Sequence, residues 1–77
     1  MERDVLERLG FEENEIGVWV YEEEECRVEI IDNVVRIEDY DRMDGVEVIW
    51  HRFENRVEVM NYIIRIVEDW KEIENED

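Results

Sequence analysis

Residues 26–39 read CRVEIIDNVVRIED, and this stretch decides the fold. Two β-branched runs flank Asp32-Asn33, a pair that tolerates positive φ. The segment therefore predicts two antiparallel strands, 26–31 and 34–39, joined by a two-residue turn. Such a turn sets Ile31 opposite Val34, Ile30 opposite Val35, Glu29 opposite Arg36, Val28 opposite Ile37 and Arg27 opposite Glu38. Side chains alternate across a strand, so Val28, Ile30, Val35 and Ile37 share one face. The other face carries two opposite-charge pairs, Arg27–Glu38 and Glu29–Arg36, each worth about 0.2–1 kcal/mol. A one-residue slip would exchange the faces, so an all-apolar face backed by matched charges fixes the register.

Upstream, residues 16–21 (IGVWVY) predict another strand, with Glu22, Glu23, Glu24 and Glu25 as the connection. Carrying the register through that connection places Trp19 opposite Val28 and Tyr21 opposite Cys26, both on the apolar face. Val18 and Val20 then point to the other side. Residues 12–15 read as a solvated loop. Residues 2–9 predict a short helix with Val5, Leu6 and Leu9 at helical spacing and Gly10 at its C-terminal cap.

Downstream, residues 40–45 read as a connection and 46–53 as a fourth strand. In it Val46, Val48 and Trp50 alternate with Glu47, Ile49, His51 and Phe53. A tight turn at Asp44-Gly45 would bring Asp39 and Asp41 onto the core face, so a longer loop is expected. Residues 55–73 predict the main helix, opened by Asn55 and Glu58 at capping-box spacing. Its inward stripe is expected to be Val57, Met60, Ile63, Ile64, Val67 and Trp70, with Val59, Tyr62, Ile66 and Ile73 to one side. All three tryptophans are expected to face inward, and residues 74–77 to fray. The expected fold is one α+β domain over 1–77, ordered α-β-β-β-β-α. It is a four-stranded antiparallel meander with the long C-terminal helix packed on one face and the short helix at an edge.

The 77 residues carry 25 Asp+Glu against 9 Lys+Arg, a formal net charge of -16, yet 44% are hydrophobic and rich in Val and Ile. That apolar content supports a small core and argues against disorder. Ala, Ser, Thr, Gln and Pro are absent. No serine or threonine nucleophile exists, and three scattered glycines make no phosphate cradle. The lone Cys26 excludes an internal disulfide and a Cys-based zinc cluster, and is expected in the core beside Tyr21. No apolar run reaches the roughly 18 to 20 residues of a membrane span, and the charged N-terminus lacks a signal-peptide core. A cytoplasmic protein is expected.

The charge sign repels nucleic acids and anionic membranes, so the expected partner is a basic protein surface. The candidate contacts are Glu12, Glu13, Glu15, the run Glu22, Glu23, Glu24 and Glu25, and the tail Glu72, Glu74 and Glu76. Carboxylates held on a rigid scaffold can imitate the phosphate spacing of duplex DNA, about one charge per 1.7 Å of axis. In general character only, such a protein resembles the small acidic phage inhibitors of restriction, repair or CRISPR machinery. The competing reading is an acidic coat serving solubility, salt or heat. On that reading the protein is structural and dimerises through the mixed sheet face, Val18, Val20, Ile31, Val34 and Ile49.

Three motifs point to plain structure. The stretch Asp39-Tyr40-Asp41-Arg42-Met43-Asp44-Gly45 misses calcium-loop spacing by one residue and has Trp50 at the twelfth position. His51 is expected on a strand's polar face without a nucleophile to serve. Cys26 lies beside an acidic run that would raise its pKa. No catalytic residue, cofactor or metal is expected.

Overall fold

The computed structural model describes the backbone of residues 2–41 and 45–75, and the side chains of 2–40 and 45–71. In chain order the elements are α1 (Glu2–Leu9), β1 (Glu12–Glu13), β2 (Trp19–Glu22), β3 (Cys26–Ile31), β4 (Val34–Asp41), β5 (Gly45–Arg52) and α2 (Arg56–Asn75). The strands form one antiparallel sheet in the order β1-β2-β3-β4-β5. The class is α+β, as expected, but the sheet has five strands. The extra one is Glu12–Glu13, which carries no β-forming residue and is placed by pairing with Val20 and Trp19.

The β3–β4 hairpin pairs in the register that the cross-strand charges require, from Ile31 opposite Val34 to Arg27 opposite Glu38. Asp32 takes the positive φ of its turn, 52°. The β2–β3 register differs from expectation by two residues, with Trp19 opposite Ile30 and Tyr21 opposite Val28. The reason is local: Glu22 joins the strand opposite Arg27, and the connection closes when Glu23 N donates to Cys26 O at 2.8 Å. A shift of two keeps the faces, so Trp19 and Tyr21 still point inward. The strand begins at Trp19 because Asn14 organises the residues before it. Its side-chain oxygen accepts from Ile16 N and Val18 N, both at 3.0 Å, which leaves Ile16 83% exposed.

On β5 the expected facing is reversed. Val46, Val48 and Trp50 lie opposite Tyr40, Glu38 and Arg36, on the face away from the core, while Glu47, Ile49 and His51 share the inner side with Asp39, Ile37 and Val35. Trp50 is therefore not a core residue, and is 60% exposed. The long β4 keeps Tyr40 and Asp41 paired, so the connection shrinks to residues 42–44, which lie outside the described residues. The calcium-like stretch is thus strand up to Asp41.

The core lies between the inner sheet face and the helices. Leu6 of α1, Phe11, Trp19, Tyr21, Val28, Ile30, Val35 and Ile37 meet Val59, Ile63 and Val67 of α2. The buried line of α2 runs through Val59, Ile63 and Val67, so the helix is rolled relative to the expected stripe and Val57 is 67% exposed. Asn55 caps α2, its Oδ1 accepting from Glu58 N at 3.0 Å, and Glu58 in turn accepts from Glu54 N at 3.3 Å. α1 ends on Gly10 at φ 108°. Gly10 N donates to Glu7 O (3.1 Å) and Phe11 N to Leu6 O (2.9 Å), the Schellman pattern, which drives Phe11 into the core. No helix among the described residues is long and apolar enough to cross a membrane.

Candidate functional site

The acidic run 22–25 divides because a strand end and a turn aim successive side chains apart. Glu22 belongs to β2 and stands on the open face, 3.9 Å from Arg27. Glu24 is exposed on the turn. Glu23 is half-buried and accepts a hydrogen bond from Tyr21 Oη, and both it and the exposed Glu25 line a cleft on the inner side. Asp39 of β4, which the inner parity of that strand places on the same side, lines the same cleft.

These three carboxylates line a cleft of about 370 Å³ between the sheet and the middle of α2. Its floor is Ile37 and Ile49, with Cys26 at one side. The α2 wall is Tyr62, Ile66 and Trp70. Trp70 stacks with Tyr21 at 6.3 Å and Tyr62 packs on Phe53 and His51 at 5.1 and 5.0 Å, so the aromatic wall is braced from both ends. Burial pushes the Tyr62 hydroxyl pKa up. The result is an apolar slot with an anionic mouth.

The other candidate contacts lie elsewhere. Glu12 and Glu13 form the β1 edge, with Glu13 paired to Arg3 at 2.8 Å, and Glu15 is exposed in the Asn14 turn. The side chains of Glu72 and Glu74, and all of Glu76, lie outside the described residues. The expected dimer face does not form one surface. Val20, Ile31 and Val34 share the open sheet face, but Val18 is buried and Ile49 points to the opposite side.

That open face is largely neutralised. Arg36 donates to Glu29 Oε1 at 2.7 Å and to Glu38, whose other oxygen accepts from Tyr40 Oη at 2.9 Å. These bonds lower the Glu38 pKa, through Arg36 first and Tyr40 second, and Glu38 in turn raises those of Arg36 and Tyr40. Arg27 Nε is buried without a hydrogen-bond partner and faces Glu29 Oε1 at 3.7 Å. Trp50 lies under the Arg36 guanidinium at 5.3 Å. Arg27 and Arg36 are thus engaged by the sheet's own acids, and much of the surplus negative charge sits at the turns, the ends and the cleft.

His51 turns inward, with its ring against Tyr62, rather than onto a polar face. Among the described residues no three His, Cys, Asp or Glu side chains converge as metal ligands. Asp39, Tyr62, Ile66 and Trp70 were not foreseen as site residues. The available signal was Asp39 itself, an acid at core parity on a strand, which only an open cleft can accommodate. No protein family, curated protein or solved structure matches this chain.

Proposed function

We propose that this chain is a non-catalytic binding protein that occludes a basic protein surface, most concretely the nucleic-acid-binding cleft of a DNA- or RNA-handling protein. The observation that carries this reading is the slot between the sheet and α2. An alkyl stem laid on Ile37, Ile49 and Ile66 would place a terminal cation among Glu23, Glu25 and Asp39 and beside the Trp70 and Tyr62 rings. Lysine and arginine have that shape. Glu24, exposed on the adjoining turn, and the chain's net charge of -16 supply the wider field that draws a basic surface in. The action is competitive: carboxylates take the place of phosphates, in the manner of the phage-type inhibitors.

The test is capture from native lysate at low salt, followed by elution with duplex DNA or RNA. The expected result is a partner released by nucleic acid and by salt, and held more weakly by a Glu23→Gln/Glu25→Gln variant. A partner indifferent to both competitors, or bound equally by the variant, would remove the proposal.

A further inference from the structure

The two edges of the sheet are unlike. β1 is two residues long and both are glutamate, which blunts it against pairing. β5 is eight residues long, pairs only with β4 and is exposed at every position. Within Gly45–Arg52 the only formal charges are Glu47 and Arg52, and they cancel. No proline, lysine or bulge protects this edge. Val46 and Trp50 are 58% and 60% exposed on its outer side, in a chain whose net charge is -16.

We propose that two copies of this chain pair antiparallel along β5 and join their sheets into one continuous sheet. Phe53 N donates to Asn33 O at 2.8 Å, continuing the β4–β5 register. Antiparallel pairs alternate between hydrogen-bonded and non-bonded, so His51, Ile49 and Glu47 bond to β4. The backbone groups of Val46, Val48, Trp50 and Arg52 then point out of the sheet, unpaired.

A second β5 can meet them across a two-fold axis through Ile49. Val48 then faces Trp50 of the other copy, Ile49 faces Ile49, and Glu47 faces His51. Each match occurs twice except the central one. The opposing residues lie on the same face, as strand parity demands. Shifting the axis to Val48 would set Glu47 against Ile49 and His51 against Gly45, losing the Glu47–His51 match. The seam is also the stretch where two strongly anionic bodies meet without like charges opposed. A second copy is therefore the occupant that this edge fits.

Sedimentation equilibrium of the full chain tests this. The expected mass rises toward twice 9.6 kDa with concentration, and added salt strengthens association by screening the two bodies. Val48→Pro removes one outward donor from each copy and leaves the bonds to β4 intact. It should weaken the dimer about thirtyfold while circular dichroism stays that of the folded chain. In a Cys26→Ala background, Ile49→Cys should form a disulfide-linked dimer on mild oxidation, because non-bonded pairs bring Cα atoms to about 4.5 Å. Val48→Cys should not. A 9.6 kDa species at all concentrations and salts would overturn the proposal, as would cross-linking by Val48→Cys in place of Ile49→Cys. Salt acts oppositely on binding to a basic partner, so failure here leaves that reading untouched.

Discussion

Replacing Gly10 by alanine tests how α1 is joined to the core, and Gly17→Ala supplies its control. Both glycines have φ well into the positive region, 108° and 84°. An L side chain there costs about 1–3 kcal/mol, offset by the roughly 0.4–1 kcal/mol gained because alanine stiffens the unfolded chain. Gly17→Ala has nothing within 4 Å of the new methyl, so its net loss is about 1 kcal/mol. At Gly10 the methyl would sit 3.1 Å from Tyr21 Cε2 and 3.4 Å from Cδ2. The ring cannot retreat freely, since Phe11 packs on it at 5.2 Å and Trp70 stacks beyond it. Overpacking adds about 1–3 kcal/mol, so Gly10→Ala should cost about 2–4 kcal/mol in all. With a urea m-value of about 1 kcal/mol/M for so small a domain, its denaturation midpoint should fall at least about 1 M below that of Gly17→Ala. Equal midpoints would refute the account of Tyr21 as a fixed wall. A midpoint at or above that of the unmodified chain would refute the backbone argument as well.

Ile63→Ala should destabilise by about 2–5 kcal/mol and Val57→Ala by less than about 0.5 kcal/mol, as read by chemical denaturation; the reverse order would mean that α2 is rolled the other way. Asn55→Ala removes the oxygen that holds Glu58 N and should lose about 1 kcal/mol, and an unchanged midpoint would dismiss the cap. Glu38 is held below its usual pKa of 4.5 by Arg36 and Tyr40, so its contribution is present above that pH and is lost as pH falls through its lowered folded value. Thermal midpoints of the unmodified chain should therefore drop more steeply than those of Glu38→Gln below about pH 4.5, and parallel curves would dispose of the linkage.

What the sequence made legible follows from where local rules are sufficient. The β3–β4 hairpin could be aligned residue by residue, because a two-residue turn permits one register and Arg27–Glu38 and Glu29–Arg36 confirm it. The caps at Gly10 and Asn55 were equally local. β1 was invisible because Glu12-Glu13 has no strand preference of its own, and pairing with β2 alone makes it a strand. The facing of β5 was misread on a sound premise, that Asp39 should not enter a core. The premise fails because the sheet and α2 leave an open cleft there, in which Asp39 stays exposed. The roll of α2 was ambiguous in principle, since apolar residues from Val57 to Trp70 span more than one stripe and only the partner surface selects Val59, Ile63 and Val67. The division of the 22–25 run needed the turn geometry, which a string of identical glutamates does not encode.

The truncated, doubly acidic β1 has a consequence for how far association can go. A ladder that offers a free rail on one side only can be extended once; after two copies join, each outer margin of the combined sheet is a glutamate pair, and a third copy finds nowhere to attach. On the proposed pairing, the same asymmetry that opens one margin to a second copy would also stop growth into fibres.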